Sequence, residues 1–312
     1  MNRLKYATTL KSACETAVEV FKSSNVSEPL TSARYLLQES IRTDTFPTSS
    51  ELEARMLDPF TPSLHARFEA MCRRRLLHEP VQYIIGEWDF HSITLKVRAP
   101  VLIPRPETEQ LVCRILNDLE EANVIDQPLR ILDIGSGTGC IGLSLLTHLP
   151  NSNCIAIDPG LDAVELSREN ADFLGLTNRY ECIQVAVEKF DHVLPFDLIV
   201  SNPPYIPSVD MSTLAPELNF EDKNALCGGL KGLDIINEIF KCGGRLLKQT
   251  NSSEHDSNHV QHLIYMEVDS SHPVSLTSSN ISQSHGLHLI DWWKDHQDLP
   301  RFCVFGRQGL GT

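Results

Sequence analysis

The sequence predicts an α/β fold in which a small helical domain and a β-hairpin linker precede a doubly wound parallel sheet. The first observation is that short apolar strands alternate with helical segments from residue 104 onward. This alternation is typical of parallel strands with helices on both faces of the sheet. The second is the helical spacing of apolar residues before residue 80. The length of 312 residues and the 41% hydrophobic composition suit about two globular domains and exclude a disordered or collagen-like chain.

Residues 1–80 are predicted to form the N-terminal helical domain. Apolar side chains recur at helical spacing over 13–21 and 33–41, and a third helix is expected over 63–77. Thr31 or Ser32 is predicted to cap the second helix, because a side-chain oxygen can accept a hydrogen bond from a free backbone N–H at that position.

The hairpin linker is predicted at residues 81–103. Its two short strands are expected at 83–86 and 93–97, where aromatic and β-branched residues follow Pro80. Residues 104–312 then form the sheet domain. Its strands and helices are predicted in turn at 129–134, 139–148, 154–157, 161–174, 196–200, 235–247 and 263–268.

Residues 250–261 are predicted to form a polar surface insertion, because they are poor in apolar residues and rich in Ser, Asn and His. His255, His259 and His262 could suggest a metal, but such a segment offers no scaffold to fix ligand geometry, so no metal site is expected. The nine cysteines are odd in number and lack a C-x-x-C spacing, which favours free thiols in a reducing compartment.

The chain is acidic, with 27 Lys and Arg against 41 Asp and Glu and a formal charge of −14. This balance argues against broad binding of nucleic acid, which depends on basic residues. The dense basic run 73–75 has two open interpretations, a solvated helix face or a contact with an anionic partner.

No apolar run reaches the roughly 18 residues that cross a bilayer. Residues 1–10 lack the long apolar stretch of a secretory signal, and a short mitochondrial presequence stays open.

A glycine-rich turn follows the predicted strand at 129–134. Gly135, Gly137 and Gly139 alternate with Ser136 and Thr138 just before a predicted helix. Glycines allow a sharp turn and a close approach of the backbone to a ligand, and this edge of an α/β sheet is where nucleotides bind. A dinucleotide-binding motif, G-x-G-x-x-G, would have its final glycine at position 140, and the Cys140 found there disfavours NAD.

Asp158 ends the next predicted strand, about 20 residues beyond the turn, where a carboxylate can accept hydrogen bonds from ribose hydroxyls. A cap for the following helix is the alternative, and Pro159 is consistent with it.

The strand at 196–200 runs into Asn202, Pro203, Pro204 and Tyr205. Two prolines stiffen the turn and remove two backbone donors. The remaining carbonyls, the Asn amide and the aromatic ring suit a planar NH₂ group, with acceptors for its hydrogens and a flat face for stacking.

These three motifs together resemble the class I S-adenosylmethionine-dependent methyltransferases, which have a Rossmann-like doubly wound sheet. The segments 80–86 and 101–109, with 228–234 and 266–268, resemble the HemK/PrmC family of release factor glutamine methyltransferases. The resemblance runs from about residue 30 to the C-terminus and omits 250–261. It implies methylation of the glutamine side-chain amide in the Gly-Gly-Gln motif of class I peptide-chain release factors, with S-adenosylmethionine as cofactor and no metal.

The resemblance also implies roles for individual residues. The turn residues 135–139 would line the methionine part of the cofactor and Asp158 would hold its ribose. Asn202 would accept from the glutamine amide with the Pro203 carbonyl, while Pro204 and Tyr205 shape the wall. Three residues would close the site from the linker side: Arg105, Glu107 and Thr108. The family's acidic-plus-aromatic pair for adenine is missing, so Val187, Glu188 and Phe190 all stay candidates.

Two other functions stay open. The same Asn-Pro-Pro-Tyr residues suit an exocyclic amine of adenine or guanine, but the charge of −14 favours a protein substrate. A non-catalytic binding module is the third hypothesis, and the intact motifs argue against it.

The N-terminal helices, with 73–75, are expected to recognise the release factor. The chain is expected to be a monomer without stable nucleic acid or membrane binding. The segment 86–90 resembles the animal mitochondrial branch, which favours a mitochondrial location over a cytoplasmic one.

Overall fold

A computed structural model describes residues 4–43, 46–249 and 262–307. It contains two compact units, Met1–Trp88 with Ala215–Phe220, and Asp89–Leu214 with Glu221–Thr312. The division falls inside the segment predicted as a linker, and the domain limits 1–80, 81–103 and 104–312 stay a prediction. The predicted insertion at 250–261 lies outside the described residues, as do His255 and His259.

The first unit is helical, as the spacing of its apolar residues indicated. Its helices are α1 (Leu10–Ser23), α2 (Pro29–Ile41), α3 (Ser49–Arg55), α4 (Pro62–Arg75) and α5 (Val81–Ile85).

Local signals start three of these helices. Thr9 caps α1 and Thr48 caps α3, each in a reciprocal capping box, and the Thr61 side chain accepts from Leu64 N at the start of α4. The predicted caps of α2 are wrong. The helix already begins at Pro29, whose fixed φ suits a first helical position, so Thr31 and Ser32 lie inside it.

The strand predicted at 83–86 is also wrong, because residues 81–85 form α5. Val81 and Ile84 are three residues apart, so they share one helix face, and both are buried in the core of the helical unit. Gly86 ends the helix in the left-handed region at φ 86°. Burial of one helix face therefore overrides the strand preference of Tyr, Ile and Ile.

The basic run at 73–75 is not a free cationic surface. Arg75 is buried, and its guanidinium donates to Ser32 Oγ, to Ser27 Oγ, to the carbonyls of Ser27 and Glu79, and to Glu217 Oε1 at 2.9 Å. Arg74 donates to both carboxylate oxygens of Glu79. Arg73 and Arg74 are both exposed, and Arg73 pairs with Glu69. The run mainly stabilises the helical unit.

Two short strands, β1 (Glu87–Phe90) and β2 (Ile93–Lys96), form a two-stranded sheet. The predicted hairpin therefore exists, but its first strand begins four residues later than expected. A seven-stranded sheet follows. Its strands are β3 (Arg130–Ile134), β4 (Asn153–Asp158), β5 (Tyr180–Gln184), β6 (Leu198–Ser201), β7 (Leu263–Glu267), β8 (Leu287–Lys294) and β9 (Pro300–Arg307).

The strand order is β5-β4-β3-β6-β7-β9-β8. The five strands from β5 to β7 are parallel, and β9 and β8 are antiparallel additions at one edge. The order reverses at β3, which has β4 on one side and β6 on the other. The predicted doubly wound sheet is confirmed, and its switch point lies where the glycine turn leaves β3.

Helices cover both faces of the sheet. They are α6 (Pro106–Glu121), α7 (Cys140–His148), α8 (Leu161–Phe173), α9 (Asp234–Leu246) and α10 (His272–Ser278). Ile131 of β3 packs in one core with α6, α7 and α8, whereas Leu132 packs in a second core with α9 and α10. This alternation is what a sheet buried on both faces requires.

All nine cysteines lie in the described ranges, and each is a free thiol. No helix of the described residues is long and apolar enough to span a bilayer.

Candidate functional site

The glycine turn connects β3 to α7 in a conformation that depends on glycine. Gly135, Gly137 and Gly139 have φ values of 72°, 54° and 82°, a region that residues with a Cβ rarely adopt. A Cβ added at Gly135 or Gly137 would meet no atom within 4 Å, so both face open space. A Cβ at Gly139 would instead lie 2.8 Å from Leu143 Cδ1 and from Ser167 Oγ. The first two glycines leave room for a ligand, and the third allows the helix to pack closely.

Asp158 stands at the carboxyl end of β4, beside this turn. Its Oδ2 accepts from the Gly137 N–H at 3.0 Å and its Oδ1 accepts from the Gly160 N–H at 2.8 Å. Burial raises the pKa of Asp158, and the two donated hydrogen bonds oppose that rise. The carboxylate therefore connects the glycine turn to the start of α8. Both functions suggested by the sequence, a ligand contact and a helix-start contact, are compatible with this position.

A second carboxylate, Asp133, lies inside β3 and is fully buried. Its Oδ2 accepts from the Gly142 N–H at 3.0 Å, while its Oδ1 has no partner among the described residues. Desolvation raises the pKa of Asp133 to about 7. This residue ties the strand to the first turn of α7.

The Asn-Pro-Pro-Tyr motif follows β6, and a hydrogen-bond network holds it in place. Asn202 Nδ2 donates to Thr108 Oγ1 at 3.0 Å, and Thr108 Oγ1 donates to Glu267 Oε2 at 2.7 Å. Tyr205 OH donates to Glu267 Oε1 at 3.1 Å. Burial raises the pKa of Glu267, and the hydrogen bonds from Thr108 and Tyr205 partly offset that rise. Both ends of the motif are thus attached to one buried carboxylate.

The backbone of the motif packs against the glycines of residues 228–232. A Cβ at Gly228 would clash with the Pro204 carbonyl oxygen, and one at Gly232 would clash with the Tyr205 carbonyl oxygen. Gly228 N also donates to the Ile206 carbonyl at 2.9 Å. These glycines let the two loops approach closely, and the contacts fix the carbonyl groups of Pro204 and Tyr205.

A cavity of about 460 Å³ lies along this edge of the sheet. Of the residues predicted for the site, Gly135, Gly137, Asp158, Val187, Asn202, Pro203 and Pro204 line it. Ser136, Thr138, Gly139, Tyr205, Arg105, Glu107 and Thr108 are not among its lining residues. The structure thus brings the three motifs together around one cavity, and the remaining candidates do not line it.

The three candidates for adenine occupy different positions. Val187 begins a short 3₁₀ segment and lines the cavity, with Glu188 beside it. Phe190 is buried, and its ring lies 6.4 Å from that of Phe196 in the core below the sheet. It does not line the cavity, whereas Val185 does.

Arg105 and Glu107 lie at the start of α6. Arg105 donates to both carboxylate oxygens of Glu221, at 2.8 and 2.6 Å, and the Glu221 side chain is 1% exposed. This pairing neutralises the guanidinium that was predicted to close the site. Glu107 stands near Glu267, whose pKa its charge raises.

Two acidic residues of this region had no predicted role, Glu267 and Glu221. Glu267 lies at the carboxyl end of β7, which pairs with β6, so the rule that ligands bind at that edge could have indicated it. Glu221 lies in a loop, and nothing in its local sequence indicates its partner.

No cluster of three or more His, Cys, Asp or Glu side chains among the described residues could hold a metal. His262 was predicted to be solvated, but its side chain is only 13% exposed. Its Nδ1 lies 3.6 Å from Asp197 Oδ1.

Two family models match the chain. One described as the PrmC N-terminal domain matches residues 12–86, and one described as the methyltransferase small domain matches residues 114–226.

Two relatives match nearly the whole chain. The MTRF1L release factor glutamine methyltransferase of Homo sapiens is 38% identical over 93% of this chain and 85% of its own. The release factor glutamine methyltransferase of Agrobacterium fabrum is 34% identical over 92% of this chain and 93% of its own.

A solved structure, the hMettl16 catalytic domain in complex with the MAT2A 3'UTR hairpin 6, aligns with a TM-score of 0.50. It covers 70% of this chain and 77% of that one at 13% identity, a likeness that concerns the fold alone. The predicted class I S-adenosylmethionine methyltransferase fold is confirmed.

The residues around the cavity fit S-adenosylmethionine, the cofactor of this fold. Gly135 and Gly137 leave open space where a side chain would stand, and Asp158 offers carboxylate oxygens to hydroxyl groups. Val187 and Ile157 give the cavity an apolar wall. Given the identity with these relatives along nearly its whole length, the chain belongs to the release factor glutamine methyltransferase family.

Proposed function

We propose that this protein methylates the side-chain amide nitrogen (N5) of the glutamine in the Gly-Gly-Gln motif of a class I peptide-chain release factor. The observation that carries the proposal is the placement of Asn202. Its NH₂ group is engaged by Thr108, and it lines the same cavity as the glycine turn and Asp158. An amide oxygen held there suits the N–H groups of a substrate amide.

Positioning is the main task left to the protein in this reaction. S-adenosylmethionine supplies a methyl group on a positively charged sulfur, which is already a strong electrophile. The nitrogen of an amide is a weak nucleophile, because its lone pair is delocalised into the carbonyl. Asn202 Oδ1 and the Pro203 carbonyl would each accept one N–H of the glutamine, so that the face of the nitrogen is directed at the methyl group. Neither group is a strong base, and the displaced proton passes to water.

The cofactor contacts follow the lining of the cavity. Gly135 and Gly137 would face its methionine part, with Ser136, Thr138 and Gly139 supporting the turn from behind. Asp158 would accept from the ribose hydroxyls. Of the adenine candidates, Val187 with Glu188 is favoured over Phe190, because both line the cavity.

The substrate contacts divide into a direct and an indirect set. Asn202, Pro203 and Pro204 line the cavity and would touch the glutamine. Tyr205, Thr108 and Glu107 would act from behind, and Arg105 would keep the loop that contains Glu221 in place. These roles extend the family's pattern to the residues of this chain that match it.

The N-terminal helical unit is proposed to recognise the release factor outside its glutamine loop. The protein is proposed to act as a monomer and in mitochondria, where release factors of the bacterial kind occur. Imaging the full chain with a C-terminal tag beside mitochondrial and cytosolic markers tests the location. A purely cytosolic signal would contradict it.

The activity is tested with methyl-labelled cofactor offered to three acceptors: a release factor, duplex DNA and RNA. We expect label in the release factor alone. Substitution of its Gly-Gly-Gln glutamine by alanine should abolish the labelling. Label in DNA or RNA instead would favour the exocyclic-amine reaction. Failure to bind S-adenosylmethionine would leave a non-catalytic binding module.

A further inference from the structure

The side chains behind Asn202 form a directed chain of hydrogen bonds. A carboxylate accepts hydrogen bonds but donates none, so the Thr108 hydroxyl proton points at Glu267 Oε2. The Thr108 oxygen can then act only as an acceptor toward Asn202. The NH₂ end of the Asn202 amide is a donor and its Oδ1 is not, so the NH₂ end must face Thr108.

Because these groups are buried, the direction of their hydrogen bonds is fixed. Thr108 and Glu267 are each 1% exposed, so water cannot replace a lost partner. If the Asn202 amide rotated by half a turn, its Oδ1 would face the Thr108 oxygen with no proton between them. The second carboxylate oxygen of Glu267 is already occupied by the Tyr205 hydroxyl. No further side-chain hydrogen bond to Asn202 is formed by the described residues.

We propose that Glu267, through Thr108, is a positioning residue that turns the Asn202 amide oxygen toward the cavity and thereby makes the site select an amide over a carboxylate. This inference rests on the proposed function, in which a glutamine side chain enters the cavity. Neither Glu267 nor Thr108 touches that side chain.

Selection follows from which end of Asn202 faces the substrate. With Oδ1 and the Pro203 carbonyl presented together, the two N–H groups of glutamine find two acceptors. A glutamate in the same place would bring carboxylate oxygens against two oxygens, which is repulsive. A rotated Asn202 would present its NH₂ group, donate to a glutamate carboxylate and oppose the glutamine N–H groups. The orientation of one amide therefore decides between the two side chains.

Thr108 offers a matched pair of variants for the test. Thr108→Val keeps the shape of the side chain and removes the hydroxyl, whereas Thr108→Ser keeps the hydroxyl. Each full-length protein, saturated with S-adenosylhomocysteine, is titrated with two peptides that differ only in carrying Gly-Gly-Gln or Gly-Gly-Glu. The measured quantity is the ratio of the two dissociation constants.

We expect the wild type and Thr108→Ser to prefer the glutamine peptide. Thr108→Val should lose about tenfold of that preference, the equivalent of one net hydrogen bond. A merely structural role for Thr108 would weaken both peptides equally and leave the ratio unchanged. An unchanged ratio in Thr108→Val, with unaltered affinity for S-adenosylhomocysteine, overturns the inference.

A double-mutant cycle links the effect to Glu267. In a Glu267→Met background the Thr108 hydroxyl can either accept from Asn202 Nδ2 or donate to Asn202 Oδ1, so it no longer selects one orientation of the amide. Exchanging Thr108 for Val in that background should change the ratio by less than about twofold. A full tenfold effect in that background would contradict a role for Glu267. The proposed function is judged separately, by methylation of the glutamine peptide with wild-type enzyme. If the wild type methylates it and the ratios do not move, only the positioning role fails.

Discussion

Asp158 Oδ2 accepts a hydrogen bond from the backbone N–H of Gly137 at 3.0 Å, so the carboxylate at the end of β4 fixes the turn that leaves β3. Its other oxygen accepts from Gly160 at 2.8 Å. One side chain thus connects both loops that border the cavity at this point. It is placed to shape the site as well as to contact a ligand.

Asp158→Asn should therefore weaken cofactor binding strongly. An amide can accept from only one of the two backbone N–H groups, and its NH₂ would face the other. Loss of a hydrogen bond to a charged group costs about 1.5–3 kcal/mol, so the dissociation constant should rise about tenfold to a hundredfold. Calorimetric titration with S-adenosylhomocysteine measures this. Asp172→Asn, an exposed residue of the following helix, should bind normally, and equal affinities in both variants would exclude Asp158 from the cofactor site.

Gly139→Ala should destabilise the fold more than Gly175→Ala, although both glycines have a similar positive φ. Gly175 has φ 68° and open space where a Cβ would stand, whereas Gly139 has φ 82° and a Cβ there would meet Leu143, Ser167 and Tyr180. The left-handed conformation costs about 1–2 kcal/mol in either variant, and overpacking adds about 1–3 kcal/mol at Gly139 alone. Urea unfolding of both alanine variants gives the difference. If both variants lost the same free energy of unfolding, close packing at Gly139 would not contribute to stability.

Arg75→Ala should destabilise the helical unit, because it removes the guanidinium that donates to several buried acceptors and pairs with Glu217. Breaking a buried ion pair costs about 3–5 kcal/mol, and the 17% exposure of Glu217 places this one toward the lower end. Arg73→Ala, two residues away on the exposed face, should change stability by less than about 0.5 kcal/mol. Hydrogen exchange of the α1 and α4 amides reports on this unit directly. If instead Arg73→Ala alone weakens release factor binding, part of the basic run still serves as a contact surface.

Asp133 should make the stability of the sheet unit depend on pH. Burial raises its pKa from 3.8 to about 7, so the folded chain holds this proton more tightly than the unfolded chain. That contribution to stability is complete below about pH 4 and is lost as the pH rises to about 7. At neutral pH the ionised group costs up to about 4 kcal/mol.

Asp133→Asn removes this titration. The variant's stability relative to the wild type should rise between pH 4 and pH 7, as measured by urea unfolding at several pH values. Asp126→Asn, an exposed carboxylate before β3, controls for the loss of one charge. A difference between Asp133→Asn and wild type that stays constant over this range would show that Asp133 does not titrate there.

Much of the fold could be predicted because its signals are local. The glycine turn, Asp158 and the Asn-Pro-Pro-Tyr segment each follow a strand, and parallel strands bring such ends to one edge. Two strands, β8 and β9, were not predicted, because their antiparallel pairing joins them to the sheet only in the folded chain. The segment 81–85 was misassigned because the burial of Val81 and Ile84 on one helix face outweighs local preference.

The site was predicted less completely than the fold. The contact between Thr108 and Glu267 spans 159 residues of sequence, and no spacing rule connects them. Arg105 was predicted to face the substrate, yet its guanidinium is held by Glu221. Partners that meet only through the tertiary structure decide which polar groups remain available to a ligand.

Tandem mass spectrometry of a release factor, incubated with the wild-type protein and S-adenosylmethionine, tests the central claim most directly. The account predicts one added methyl group, located on the Gly-Gly-Gln glutamine and released as methylamine on acid hydrolysis. In an Asn202→Ala variant that still binds the cofactor, this methylation should fall by orders of magnitude. A methyl group on another residue, or undiminished modification by Asn202→Ala, would contradict the account.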